Sequence, residues 1–149
     1  MVWYYSAMNI KIQIKKVEKD AKIPDQPYNT DAGFDLYAAK HIEIGPGEKG
    51  TVKTGIALAI PVGHVGLIWD KSGIAMKGGL KTLGGVIDAG YRGEVIVGIA
   101  NLSETKCIFE KGDKVAQMLI QKIETPELEE VDELYETDRG DKGFGSSGK

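Results

Sequence analysis

Val52-Lys53-Thr54-Gly55-Ile56-Ala57-Leu58-Ala59-Ile60 places an apolar or β-branched side chain at every second position, the period of a strand with one buried face. The same alternation runs through Ile10, Ile12 and Ile14, through Val65–Trp69, and through Val95, Val97 and Ile99. Val115–Ile123 is more continuously apolar, which suits a strand covered on both sides. Turn signals at Gly45-Pro46-Gly47, Pro61-Val62-Gly63, Gly84-Gly85 and Lys111-Gly112-Asp113 divide these runs into lengths of about 5–10 residues. The pattern predicts an all-β sandwich or barrel. Only Ser72–Lys77 reads as helical, with Ser72 as its N-cap and Gly78-Gly79 as its stop, and it is too short to form a layer.

The chain has 149 residues, the size of one domain spanning 1–149. Its formal net charge of −3 excludes a bulk basic field for nucleic acid, and no segment is apolar for long enough to be a signal peptide or membrane span. Cys107 stands alone, which excludes a disulfide framework or multi-thiolate zinc site and points to a reduced, cytoplasmic setting. Residues 1–8 precede the first patterned segment and are expected to be a disordered or dispensable extension, since a second methionine, Met8, stands just before that segment. Glycine accounts for 20 positions, about twice the usual share of ~7%, and demands unusual backbone conformations. Residues 124–138 hold eight acids and no base, the composition of a solvated connector. The tail beyond it, Arg139–Lys149, is rich in glycine and can bury almost nothing alone, so 124–149 reads as a connector and mobile arm that orders only against something else.

Of 19 basic residues only Arg92 and Arg139 are arginine, and both precede glycine. A planar fork of donors suits bidentate anion binding, with an ordinary salt bridge the alternative, and Arg139 is the stronger candidate because bare glycine amides follow it. Asp70-Lys71-Ser72-Gly73 joins a strand to the short helix, setting a hydroxyl and an ammonium beside unpaired amides, a composition that suits phosphate although the Walker spacing is absent; a capped helix with a surface lysine is the alternative. Gly84–Glu94 reads as a hairpin tip on which Asp88, dried by Val86 and Ile87, is placed to act as a general base on water; a plain turn-forming aspartate is the alternative. His41 and His64 lie in unrelated turn contexts with no partnered acid or thiol and read as surface residues, and Cys107 reads as core.

Taken in order, these segments resemble the homotrimeric dUTP pyrophosphatases, the dUTPases, from about Ile10 to the C-terminus. The family's five motifs are matched by Ala32-Gly33-Phe34-Asp35-Leu36, Lys71-Ser72-Gly73, Gly85–Gly93, Gly112-Asp113-Lys114-Val115-Ala116-Gln117 and Arg139–Gly148. The resemblance implies a distorted β jelly roll and a homotrimer whose three sites are shared between subunits, with the C-terminal arm exchanged. It implies hydrolysis of dUTP to dUMP and pyrophosphate, which limits uracil in DNA and supplies dUMP for dTMP synthesis. Asp88 would activate the water that attacks the α-phosphorus. Lys71, Ser72, Gly73, Gln117 and Arg139 would hold the triphosphate. Mg²⁺ would ride on phosphate oxygens and water with no direct side-chain ligand, leaving Asp35 a supporting role. The Gly85 and Ile96 backbones would read the uracil edge, with Val86 and Ile87 beside it. Tyr91 would pack on the deoxyribose, and Phe144 and Gly145 of the arm would close over the base.

Two positions depart from the family pattern. Lys71 stands where arginine is usual, so Asp70 is a candidate partner for its ammonium, and Gly90 replaces a frequent acid. A dCTP deaminase of the same fold would need a glutamate base and an R-S-S-type segment, where this chain has K-S-G and Asp88-Ala89-Gly90-Tyr91. A catalytically silent binding jelly roll is the other alternative, against which the joint retention of Asp88, Ser72, Gln117, Arg139 and Phe144 argues.

Overall fold

The computed structural model describes residues 10–143; the expected extension 1–8, and Phe144 and Gly145 of the tail, lie outside the described residues. In chain order the elements are β1 (Gln13–Lys16), β2 (Phe34–Tyr37), β3 (Ile42–Ile44), β4 (Lys49–Ala59), β5 (His64–Trp69), α1 (Ser72–Gly78), β6 (Leu80–Leu83), β7 (Val86–Ile87), β8 (Glu94–Asn101), β9 (Cys107–Phe109) and β10 (Lys114–Lys122). One antiparallel sheet runs β1-β4-β8-β6, a second runs β2-β10-β5-β7, and β3-β9 forms a separate ribbon. The all-β expectation is met, and each alternating run falls within a strand or leads into one.

The alternation does the sorting. Val95, Val97 and Ile99 of β8, with Val52, Ile56 and Leu58 of β4, meet Leu36, Ile68, Val115, Ala116 and Met118 of the second sheet in one buried cluster. Burying each such aliphatic chain is worth about 1.5–3 kcal/mol. β4 lies between two partners and is bent: Lys49–Lys53 and Ala57 pair with β8, Ile56–Ala59 pair with β1, and the register with β8 shifts between Lys53 and Ala57. Gly55 makes that bend at φ +69°, where a Cβ would fall 2.8 Å from the Ala21 Cβ. β1 departs from expectation, since all four of its residues are exposed. Its apolar face instead borders an open groove of about 190 Å³, lined by Ile10, Ile12 and Ile14 with Phe34, Leu58 and Met118.

Two local expectations are corrected. Ser72 is the first residue of α1 rather than its cap; the cap is Lys71, in extended geometry and with no side-chain hydrogen bond to the helix. Its ammonium is engaged elsewhere, as described below. Gly79 ends α1 in the left-handed region, donating to the Ala75 carbonyl at 3.1 Å. The Gly84–Glu94 segment is not the tip of a paired hairpin either. β7 pairs with β5 and β8 pairs with β4 and β6, so residues 88–93 cross from one sheet to the other.

Candidate active site

Register brings the first, second and fourth motifs together. Gln117 of β10 sits opposite Asp35 of β2 on one side and Trp69 of β5 on the other. Its side-chain amide donates to the Asp70 carbonyl at 2.9 Å and so holds the corner where the chain leaves β5. Gly33 makes room for this side chain, because a Cβ there would lie 2.9 Å from the Gln117 Oε1. Asp35 is almost fully buried at 2% exposure. Lys71 donates to its Oδ1, and the Lys114 Nζ lies 2.7 Å from Oδ2, an ion pair whose angles fall short of a hydrogen bond. Burial works to raise the pKa of Asp35, but the two ammoniums overcome it and hold the carboxyl below its ordinary value.

Asp70 is not the partner of Lys71. Its carboxylate accepts from the Thr82 amide at 2.7 Å and the Thr82 hydroxyl at 2.8 Å, and pairs with Lys81. It therefore ties the end of β5 to β6, while the Lys71 side chain turns across the sheet to Asp35. The Ser72 hydroxyl carries no hydrogen-bond partner among the described residues, and a Cβ at Gly73 would meet nothing within 4 Å.

The third motif forms a braced turn. Gly85 enters it at φ +106°, its carbonyl accepting from the Ile68 amide at 2.8 Å. The Tyr91 amide closes onto the Asp88 carbonyl at 3.0 Å, and the Tyr91 hydroxyl donates to the Glu94 carbonyl at 2.9 Å. Arg92 braces the turn from outside, donating to the carbonyls of Ala89 and Tyr91 at 2.6 and 2.8 Å. This is a structural use of one guanidinium nitrogen, where the sequence left an anion ligand and an ordinary salt bridge open. The Asp88 carboxylate is exposed, with no partner among the described residues. Val86 and Ile96 are exposed too, at 64% and 41%, so in one chain Val86 does not dry Asp88 as expected.

One chain does not bring Asp88 to Lys71. Ile87 lies opposite Gly66, so Asp88 falls at the Val65 end of β5, whereas Lys71 leaves the other end. The six steps from Val65 to Lys71 span roughly 20 Å of extended chain. Arg139 sits on the exposed connector, where its Nε donates to the Lys142 carbonyl at 3.0 Å. Residues 124–143 are exposed throughout and hold neither strand nor helix.

Three further expectations change. His41 is exposed, as read, yet lies 3.0 Å from Glu110, which the register of β3 with β9 carries alongside, and 3.7 Å from Glu43, two residues on in β3. His64 is half-buried, and its buried Nδ1 has no partner among the described residues. Cys107 is half-buried and packs at the edge of the core, where burial pushes its thiol pKa up. The sequence reading gave no role to Lys114. The signal available was its place three residues before Gln117 on one strand, but a charge partner 79 residues away leaves no local trace. Among the described residues no three of His, Cys, Asp and Glu converge as a metal site would require, and none of the helices is long and apolar enough to cross a membrane.

The chain matches the dUTPase family model over residues 19–148. It is 46% identical to the deoxyuridine 5'-triphosphate nucleotidohydrolase of Mycolicibacterium gilvum, covering 95% of this chain and 97% of that protein. The same-named protein of Corynebacterium glutamicum is 45% identical over 93% of this chain and 95% of its own length. Among solved structures, a mutant dUTPase of Staphylococcus bacteriophage 80alpha with dUpNHpp superposes with a TM-score of 0.90 at 34% identity, covering 95% and 100% of the two chains. A mutant dUTPase from phage phi11 of S. aureus, described as coordinating a structural Mg(II) ion, superposes at 0.78 with 32% identity, covering 83% and 98%.

Proposed function

The chain belongs to the dUTPase family, and from that premise we propose that it is a dUTP diphosphatase, hydrolysing dUTP to dUMP and pyrophosphate at sites shared between three copies arranged as jelly rolls. The observation that carries the shared site is the separation of Lys71 from Asp88 along β5. Residues that must act on one triphosphate stand at opposite ends of β5 in one chain, and a second chain that supplies one of them closes the gap.

Asp88 is the base. Its unpaired carboxylate stands on a turn braced by Arg92 and Tyr91, free to take a proton from the water that attacks the α-phosphorus as pyrophosphate leaves. A positioned base of this kind is worth about 10²–10⁴ in rate. Lys71, Ser72 and Gly73 bind phosphate oxygens, Gln117 fixes that corner and contacts the triphosphate, and Arg139 reaches its far end. The Gly85 and Ile96 backbones read the uracil edge, between Val86 and Ile87. Tyr91 leaves no space for a 2′-hydroxyl, and Phe144 and Gly145 of a neighbour's arm cover the base. This cover, with the subunit interface, supplies the water exclusion that Val86 lacks alone.

The donor set fits a metal carried by the nucleotide. Both Asp35 oxygens face ammonium groups, which leaves Asp35 to support Lys71 rather than bind a cation. Mg²⁺, when bound to the triphosphate, neutralises phosphate charge. The whole chain works as one dUTPase unit in the cytoplasm, with 1–8 dispensable and 124–149 serving as the exchanged arm.

The test is pyrophosphate release from dUTP, dTTP, dCTP and UTP side by side, with and without Mg²⁺. Release confined to dUTP and dependent on Mg²⁺ is expected. Equal turnover of the four substrates, or ammonia release from dCTP, would overturn the assignment.

A further inference from the structure

Asp35 is the most buried acid near the site, and it is shared. One buried carboxylate faces two ammonium groups, Lys71 on Oδ1 and Lys114 on Oδ2, so the trio carries a surplus positive charge. The two lysines are not equivalent. The Lys71 side chain is 27% exposed and sits at the corner beside Ser72 and Gly73, while that of Lys114 is 44% exposed and rises from β10, opposite Tyr37.

If Lys71 were the sole partner of Asp35, drawing its ammonium to a phosphate would strand a buried carboxylate without compensation, the state that makes breaking such a pair costly. With Lys114 on the other oxygen, Asp35 stays paired after Lys71 leaves. Lysine suits this exchange, because its ammonium is a point charge on a flexible stem and is not committed to a fork.

We propose that Lys114 is a positioning residue for the triphosphate: by holding the second oxygen of Asp35 it releases Lys71 to move from the carboxylate to a phosphate. The idea rests on the dUTPase reading above. Lys114 acts through Asp35 and Lys71 and need not touch the nucleotide.

A double-mutant cycle reads this role. K114M should raise the KM for dUTP by about tenfold with kcat within about twofold, the pattern of lost ground-state binding. K114R, which keeps the charge, should restore the parental KM. In a D35N background there is no carboxylate to compensate, so adding K114M should change KM by less than about twofold. Should K114M not fold, K114Q removes the charge while keeping a polar side chain and reads the same change. An unchanged KM in K114M, or an equal rise in the D35N background, would overturn the proposal, the latter by showing that Lys114 meets phosphate directly. A parent protein that releases no pyrophosphate from dUTP would refute the enzyme assignment instead, so the two failures are distinct.

Discussion

The side-chain amide of Gln117 donates to the main-chain carbonyl of Asp70 at 2.9 Å, linking the middle strand of the second sheet to the corner that presents Lys71, Ser72 and Gly73. Replacing Gln117 with Leu leaves that part-buried carbonyl without its donor. A loss of about 1–3 kcal/mol in stability follows, together with a raised KM for dUTP. Urea unfolding and steady-state kinetics on one preparation check both.

Asp88→Asn separates chemistry from folding. The carboxylate is exposed and makes no contact among the described residues, so the melting temperature should stay within about 1–2 °C of the parent, in line with exposed substitutions. The rate should fall by about 10²–10⁴ while dUpNHpp binds as before. Turnover near the parental level would remove Asp88 from the base role.

Mixing inactive chains tests the shared site. Asp88→Asn and Lys71→Ala chains are each expected to be impaired alone. Unfolded and reassembled together at equal ratio, they should regain about a quarter of parental activity, since that share of sites draws an intact Lys71 and an intact Asp88 from different chains. If both groups came from one chain, mixing would restore nothing.

Two glycines make a contrasting pair. At Gly85 the backbone lies at φ +106° and a Cβ would sit 2.8 Å from the Ile68 carbonyl oxygen, so Gly85→Ala should cost about 1–3 kcal/mol. At Gly73 a Cβ meets nothing within the chain, so Gly73→Ala should fold like the parent and show any effect in KM. Thermal unfolding of the two variants separates backbone strain from substrate contact.

Asp35 sets an acid limb. Its folded pKa lies below the unfolded value of about 3.9, so it contributes stability above that pH and loses it as pH falls through the folded value. Asp35→Asn should be less stable than the parent near neutrality, with the gap closing as pH drops below about 4. A gap that stayed constant across this range would show that ionisation of Asp35 does not drive the difference.

Much of the fold was legible because it is periodic. Alternation placed β4, β5, β8 and β10, and Gly78-Gly79 correctly stopped the short helix. Motif order located Asp35, Lys71, Asp88 and Gln117. Some errors concerned a partner distant in the chain: His41 read as unpartnered until β3–β9 pairing carried Glu110 to it. Others were local, as where the turn folded the Ala89 and Tyr91 carbonyls back onto the Arg92 guanidinium, a backbone path that hydrophobic period does not report.

The sequence by itself determined the all-β class, the long strands β4, β5, β8 and β10 and where the helix stops, because hydrophobic period and backbone preference act over a few residues. Only the tertiary structure decided that Lys71 pairs with Asp35 rather than Asp70, that Lys114 shares that carboxylate, and that Asp88 stands at the far end of β5. Those outcomes follow from strand register. A charge pairs with whatever the sheet sets within a few ångströms, and pairing between strands far apart in the chain leaves no period in the sequence to read.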